Sequence, residues 1–227
     1  MQRHTNRQSA RQTMDVINPM NTKHGTTFHK SGDRGITSIG HGVNVSKADA
    51  VIEFAGSLDE AQVALGFAAV EANKLALSDI CNALQWLQRS LFSTGAVIME
   101  AHGARNAADG DEVDDKEENY SIEQQLTEVD KLIAQFMPAE KLRNFILPGG
   151  SELAARIEIA RTTCRRLERT YLQMHVREQD MAAAEVDALP YLNRISTLCW
   201  TLARHSNQVL EIPETQVRFN HNQNQEQ

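Results

Sequence analysis

The chain has 227 residues, of which 41% are hydrophobic and 23% charged, an ordinary composition for one soluble domain. Its twelve glycines and five prolines are too few for a turn-rich all-β fold, and no run of about 18 apolar residues exists to span a membrane. Three cysteines without a CxxC pair exclude a disulfide scaffold. They indicate a reducing compartment, expected to be the cytoplasm, or the mitochondrial matrix in a eukaryote.

The net charge of −7 is concentrated in one segment. Residues 109–119 carry seven acidic side chains against Lys116, which is −6 of the total. The rest of the chain is nearly neutral, so its overall charge excludes a nucleic-acid-binding protein. The segment lacks the spacing of an EF-hand loop and predicts a solvated, disordered loop.

Both ends of the chain are polar. Residues 1–27 contain three arginines, and no acidic residue precedes Asp15. This charge is typical of a mitochondrial presequence, whereas the scarcity of apolar residues favours a disordered tail, so both interpretations stay open. Residues 211–227 predict a polar C-terminal tail, disordered from Arg218 onward. One domain is expected between the tails, at residues 28–210.

Two helices are predicted in the first part of this domain. Ser57 and Glu60 have the spacing of a capping box, and Leu58 opens a run of apolar residues at helical spacing. Ser78 is placed to cap a second apolar run that includes Leu91.

A third and a fourth helix follow. Ser121 and Gln124 form another capping box, which opens a helix that ends near Phe136. The clearest helix begins at Ser151, directly after a Pro-Gly-Gly turn at 148–150. Its apolar seam steps by four and three through Leu153, Ile157, Ala160, Cys164, Leu167, Tyr171 and Met174.

The last predicted helix is capped by Asp187, tolerates Pro190 in its first turn and ends near Val209. Five helical segments with short connections predict an all-α fold, a five-helix antiparallel bundle.

The most unusual stretch is residues 29–47. It holds four glycines, hydroxyl side chains that include Ser31, Thr37 and Ser38, and a lysine near each end. Glycines allow backbone N–H groups to turn toward an anion, and lysine supplies a compact positive charge. Neither the GK[ST] motif of a P-loop nor a GxGxxG fingerprint is present. The spacing alone therefore leaves open both an anion-binding loop and a plain loop.

Four arginines crowd one part of the fourth helix. Arg161, Arg165, Glu168 and Arg169 share one face beside the apolar seam, so some of these arginine side chains are expected to be half-buried. Half-buried arginines need carboxylates or phosphates, and Asp59 is a candidate partner. The alternative is a solvated charged face.

Two other kinds of site find no support. The eight histidines form neither an HxxxH pair nor a His/Cys cluster, so no protein-ligated transition metal is expected. There is no Gly-x-Ser-x-Gly elbow for a nucleophilic serine.

Three motifs, in this order, resemble those of the PduO-type ATP:cob(I)alamin adenosyltransferases. The first is SGDRGITS (31–38), followed by Lys47 and GSLDEAQVALGFA (56–68). The second, NFILPGGSELAARIEIARTTCRRLER (144–169), is long and specific, and the third is YLNRISTLCWTLARHSN (191–207). The resemblance extends from about His29 to Asn207.

This resemblance implies a homotrimeric helical bundle with active sites between subunits. The enzyme would transfer the 5′-deoxyadenosyl group of ATP to cob(I)alamin or a related corrinoid, with Mg²⁺ assisting. A cobalamin reductase and an adenosylcobalamin-dependent acceptor enzyme would be its partners.

The resemblance also assigns site residues by position. Asp59 and Arg161 match the family's intersubunit ion pair, Arg165 a catalytic contact, and Phe145 the aromatic side chain that displaces the lower ligand of the corrinoid. The residues that would line the nucleotide site are His29, Lys30, Ser31, Gly32, Thr37, Ser38, Lys47, Arg165, Arg166, Glu168, Arg169 and Asn193.

Two rival interpretations remain. A non-catalytic corrinoid-binding or delivery protein could use the same bundle, and a helical scaffold would bind no ligand at all. Retention of Lys47, Arg165 and Asn193 weighs against the first. The glycine-rich stretch and the half-buried arginines weigh against the second.

Overall fold

The computed structural model describes residues 30–105, 121–139, 142, 144–177 and 187–217. A 3-10 turn (Lys30–Arg34) and a small antiparallel hairpin, β1 (Ile36–Ser38) and β2 (Asn44–Ser46), precede the helices. The predicted all-α bundle is confirmed, with five helices in the described part of the chain. They are α1 (Ala50–Lys74), α2 (Ser78–Arg105), α3 (Ile122–Phe136), α4 (Glu152–Arg177) and α5 (Leu189–Val209). The predicted acidic loop at 109–119 lies outside the described residues.

Two of the predicted helix starts need correction. Helix α1 begins at Ala50 rather than at Ser57, and the Asp49 carboxylate caps it by accepting from Val51 N at 3.2 Å. Ser57 is buried in the middle of the helix, because the spacing of a capping box is also the i,i+3 spacing of any helix interior. Helix α5 has Ala188 as its N-cap, although Asp187 still accepts from Leu189 N at 3.3 Å.

The predicted starts of α3 and α4 are confirmed, whereas Ser78, predicted as a cap, is itself the first residue of α2. Ser121 and Gln124 form the full capping box of α3. Ser151 Oγ accepts from Ala154 N at 3.1 Å at the start of α4. The predicted α4 seam, Cys164 included, is buried in the core. This seam packs between α1 and α5, which therefore flank α4.

Helix α4 runs antiparallel to both of its neighbours. Near the start of α1 the rings of Phe54 and Tyr171 lie 6.0 Å apart, whereas near its end the Arg156 guanidinium lies 3.6 Å from the Phe67 ring centroid. Because α1 has 25 residues, these two ends of the bundle are separated by about 37 Å at 1.5 Å per residue.

This arrangement places two segments at opposite ends of the bundle. The hairpin leads into the start of α1, and residues 144–151 lead into the start of α4. Since α1 and α4 are antiparallel, the glycine-rich stretch and Phe145 belong to different ends of the bundle.

The chain does not leave the bundle at residue 210. Residues 212–217 return beside 144–147, where Leu147 N donates to Thr215 O at 2.9 Å and Val217 N donates to Phe145 O at 2.7 Å. A single antiparallel bridge joins Ile146 to Gln216. The polar sequence of 211–217 predicts a tail, but its backbone hydrogen bonds attach it to the bundle.

In the part of the chain that the structure describes, none of the helices is apolar over a length sufficient to cross a membrane.

Candidate active site

The glycine-rich stretch folds into a closed loop around Gly32. Gly35 N donates to Gly32 O at 3.2 Å, and Lys47 N donates to Gly35 O at 2.8 Å. A Cβ on Gly32 would lie 2.8 Å from Lys47 Nζ, so this ammonium lies directly against the backbone at the glycine. Thr37 is half-buried and Ser38 exposed on β1 beside it. Backbone and ammonium thus form a small cationic loop, suited to an anion.

The turn of the hairpin rests on α2. His41, at a φ of 46°, places its Nε2 atom 3.2 Å from Glu100 Oε1. A Cβ on Gly103 would lie 3.1 Å from His41 Cδ2 and 3.2 Å from Ile39 O. The sequence offers one visible signal of this docking contact, a glycine inside a helical run.

The arginines of α4 divide into two groups. Arg161 is partly buried and donates from Nε to Glu158 Oε2 at 2.6 Å within its own helix. Arg166 forms an ion pair with Glu60 of α1, at half-exposed positions. Each of these two arginines thus already has a carboxylate partner in the protomer.

The second group presents its charge to solvent. Arg165 and Arg169 are exposed, and Arg169 Nη1 donates to the backbone oxygen of Arg165 at 2.9 Å. Glu168 is half-buried next to them. Two neighbouring guanidinium groups on a rigid helix form a preorganised cationic face.

Asp59 lies on an exposed stripe of α1. The same face carries Val63, Phe67 and Val70, which are 72%, 50% and 54% exposed. Their spacing of i, i+4 and i+7 places them on one side of the helix, with Asp59 one turn before Val63. The expected pairing of Asp59 with Arg161 is not seen inside the protomer, where Arg161 contacts Glu158.

Phe145 is held on a well-anchored segment and is 75% exposed. Its carbonyl accepts from Val217 on one side, and the following Pro-Gly-Gly turn is fixed by Asn207. Such exposure of a large aromatic side chain on an ordered segment is typical of a contact surface.

Asn193 lies in the first turns of α5 and is exposed. Its neighbour Arg194 donates from Nε to Asp130 Oδ1 of α3 at 2.9 Å. Tyr191, two residues before Asn193, belongs instead to a buried cluster. Its hydroxyl lies 2.7 Å from Ser90 Oγ, and burial raises the pKa of the phenol above its usual value. This cluster joins α2 to α5 and keeps the start of α5, with Asn193, in place.

The structure thus brings only part of the expected site together. Gly32, Thr37, Ser38 and Lys47 converge at the hairpin. Arg165, Glu168 and Arg169 share a separate face on α4. Phe145 precedes the N-terminal end of α4, and that end lies about 20 Å along the helix axis from Arg165. His29 and the side chains of Lys30 and Ser31 lie outside the described residues.

Comparison with known proteins places this arrangement in a family. The profile of the cobalamin adenosyltransferase family matches residues 27–206. The chain is similar to the corrinoid adenosyltransferase PduO of Salmonella typhimurium, with 31% identity over 185 residues, 78% of this chain and 48% of the relative. It is also 31% identical over 183 residues to a cobalamin adenosyltransferase of Cupriavidus metallidurans, covering 78% of this chain and 86% of the relative.

A solved structure has the same architecture. It is a variant PduO-type ATP:corrinoid adenosyltransferase from Lactobacillus reuteri complexed with cobalamin and ATP. The two chains superimpose with a TM-score of 0.68 at 26% identity, over 85% of this chain and 99% of that one.

The chain therefore belongs to the cobalamin adenosyltransferase family, and the resemblance found in its motifs is confirmed. It spans about half the length of the Salmonella relative and most of the length of the Cupriavidus relative.

Proposed function

We propose that the protein is a corrinoid adenosyltransferase that transfers the 5′-deoxyadenosyl group of ATP to cob(I)alamin or a related corrinoid. The observation that carries this proposal is the presence of two cationic surfaces, the glycine loop in which Gly32 contacts Lys47 and the separate arginine face of α4. Both suit a polyphosphate, and family membership supplies the reaction.

The reaction needs no nucleophile from the protein. The electron pair of Co(I) attacks the 5′ carbon of ATP, a Co–C bond forms, and the C5′–O bond breaks as triphosphate leaves with its electrons. Negative charge grows on the triphosphate, and preorganised cations stabilise it in the transition state. Lys47, Arg165 and Arg169 would supply those charges, with loop N–H groups and the hydroxyls of Thr37 and Ser38 as additional donors.

Mg²⁺ fits this site as an ion held mainly by the substrate. Among the described residues no three His, Cys, Asp or Glu side chains form a metal cluster. Mg²⁺ commonly uses one or two carboxylates together with phosphate oxygens. Glu168, half-buried beside Arg165, is the carboxylate on the arginine face that would contribute to its shell. The ion would neutralise charge on the leaving triphosphate.

We further propose that each active site is shared between two subunits of a homotrimer. Lys47 and Phe145 occupy opposite ends of one protomer, so one substrate pair cannot meet both within a single chain. The exposed stripe of Val63, Phe67 and Val70 supports an interface along α1. In that interface Asp59 would reach Arg161 of a neighbouring subunit.

Phe145 would lie against the lower face of the corrinoid. A bulky apolar ring there excludes the lower ligand and water, and four-coordinate cob(II)alamin is the form that is easier to reduce. A reductase would supply the electron, and an adenosylcobalamin-dependent enzyme would receive the product. Three buried free thiols suit a reducing compartment such as the cytoplasm or mitochondrial matrix.

The decisive assay mixes the purified protein with ATP, Mg²⁺ and chemically reduced cob(I)alamin without oxygen. Adenosylcobalamin, followed by its absorbance, is the expected product, together with triphosphate in equal amount. Binding of cobalamin without turnover would favour a corrinoid-delivery protein. If the protein bound neither cobalamin nor ATP, it would be a helical scaffold without a ligand.

A mixing experiment tests the shared site. We expect Lys47→Ala and Phe145→Ala each to be nearly inactive when turnover is measured from cob(II)alamin with a reductant, whereas trimers reassembled from equal amounts of both recover about a quarter of wild-type activity, the statistical share of sites with both intact residues. The matched control mixes Arg165→Ala with Arg169→Ala. These two residues lie on one helix, so this mixture cannot exceed the mean of its components. Equal recovery in both mixtures would contradict the shared site.

A further inference from the structure

The C-terminal strap, defined as residues 212–217, forms a second layer around the segment that carries Phe145. Val217 N donates to Phe145 O at 2.7 Å and Leu147 N donates to Thr215 O at 2.9 Å. The strap is therefore hydrogen-bonded to the residue on each side of Ile146. Asn144 Nδ2 adds a side-chain hydrogen bond to Gln216 Oε1 at 2.9 Å.

A buried ion pair attaches the strap to α5. The guanidinium of Arg204 donates from Nε at 3.0 Å and from Nη2 at 3.1 Å to the two carboxylate oxygens of Glu214. The Arg204 side chain is only 7% exposed and that of Glu214 19% exposed, and Arg204 also lies 5.1 Å from the Trp200 ring centroid. Bidentate arginine–carboxylate pairs fix orientation as well as distance.

We propose that this strap is a positioning element for the reduction step, in which Arg204 and Glu214 hold residues 212–217 so that Phe145 blocks the lower face of the corrinoid. The inference rests on the proposed function. In this proposal Arg204, Glu214 and the backbone N–H of Val217 position Phe145 and do not contact a substrate themselves.

The physical reason lies in the exposure of Phe145, which is 75% and leaves most of the residue outside the packed core. The backbone of its segment then contributes to the precision with which the ring is placed, and an error of about 1 Å in a positioning group can cost on the order of 10²-fold in rate. The strap donates a hydrogen bond to the carbonyl of Phe145, and the buried Arg204–Glu214 ion pair holds the strap in turn.

The test uses Val217→Pro with Val217→Ala as its matched control. Both variants lose the valine side chain, but only proline removes the N–H that donates to Phe145. Cob(II)alamin bound to each variant in the presence of ATP is examined by absorbance and electron paramagnetic resonance, which distinguish four- from five-coordinate cobalt. Turnover is then measured from cob(II)alamin with a reductant and from pre-reduced cob(I)alamin.

We expect Val217→Pro to increase the five-coordinate share and to lower turnover from cob(II)alamin by about 10²-fold. Turnover from cob(I)alamin should stay within about threefold of wild type, since the reduction step is bypassed. Val217→Ala should match wild type in both. Glu214→Gln, which keeps the shape of the anchor but removes its charge, should shift coordination in the same direction by a smaller amount.

Two outcomes would overturn the inference. One is unchanged cobalt coordination in a helical Val217→Pro protein. The other is equal loss of both activities together with a fall in helicity, which would make the strap a folding element only. Failure of the proposed function is a separate result, because the wild-type protein would then form no adenosylcobalamin from cob(I)alamin.

Discussion

The side chain of Asn207 contacts the backbone on both sides of Gly150. Its Nδ2 donates to Gly149 O at 2.8 Å, and its Oδ1 accepts from Ser151 N at 2.8 Å. A Cβ on Gly150 would lie 2.6 Å from both polar atoms of this amide. The last turn of α5 therefore determines where α4 starts, and with it the direction in which the preceding Phe145 segment leaves.

Gly150→Ala should disturb this contact, and Gly149→Ala should not. Both glycines have a positive φ, 101° and 134°, so both substitutions strain the backbone, but only at Gly150 would the new methyl group meet Asn207. We expect Gly150→Ala to lower the free energy of unfolding by about 2–4 kcal/mol, and Gly149→Ala by about 1–2 kcal/mol. Urea denaturation followed by circular dichroism checks both. Equal losses would mean that backbone strain alone matters at this turn.

Sequence periodicity was sufficient for the helices because their cores are regular. The seam from Leu153 to Met174 predicts α4 correctly, since each of its members is buried. The start of α1 was wrong because its true cap, Asp49, sits after a hairpin whose polar residues hide the boundary. The strap was missed because Glu214 and Gln216 are polar, and their partners Arg204 and Asn144 are distant in sequence.

Arg165→Ala should reduce kcat/KM by about 10²–10³, or roughly 3–4 kcal/mol, as expected for loss of one preorganised donor to a developing anion. The fold should be unaffected, since the side chain is exposed on α4. Steady-state kinetics at limiting ATP measure the effect. Lys131→Ala, which removes an exposed charge from α3, is the control and should match wild type. Near-wild-type turnover of Arg165→Ala would remove this residue from the site.

Tyr191→Phe should lower stability without affecting catalysis directly. The hydroxyl lies in a buried cluster, 2.7 Å from Ser90 Oγ, which itself donates to Gln125 Oε1 at 2.8 Å. Loss of the hydroxyl disturbs this network, at a cost of about 1–3 kcal/mol. A double-mutant cycle with Ser90→Ala should show coupling of about 1 kcal/mol in urea unfolding. Strictly additive losses would show that the two hydroxyls do not stabilise each other.

The resemblance to the family implies active sites between subunits, but the separation of the site residues within one chain could not be predicted from the sequence. Motifs give the identity of Lys47, Arg165 and Phe145 but not their separation, which depends on the antiparallel packing of α1 and α4. The exposed stripe on α1 was equally hidden, because Val63 and Phe67 have the helical spacing of core residues.

Asp59→Asn should weaken assembly rather than nucleotide binding. Asp59 continues the exposed apolar stripe of α1, where its proposed partner is Arg161 of a neighbouring subunit. Removing one charge of an interfacial pair costs about 2–5 kcal/mol, so the concentration for half-assembly should rise at least about tenfold. Analytical ultracentrifugation measures this, with Asp130→Asn on α3 as the control, since that exposed carboxylate pairs with Arg194 inside the protomer. Unchanged assembly with weaker ATP binding would place Asp59 at the nucleotide instead.

Phe145→Ala should separate the two stages of the reaction. Its removal leaves space for the lower ligand or a water molecule on cobalt, so cob(II)alamin bound with ATP should give a five-coordinate spectrum. Turnover from cob(II)alamin with a reductant should then fall steeply, whereas turnover from chemically reduced cob(I)alamin should suffer less because reduction is already complete. Stability should change little, since the residue is 75% exposed and loss of its ring leaves no core cavity.

Leu147→Ala, on the same segment and 55% exposed, is the matched control and should keep the four-coordinate spectrum. Equal loss from both oxidation states, without a change in cobalt coordination, would contradict the ligand-displacing role and leave Phe145 as a simple contact surface for the corrinoid.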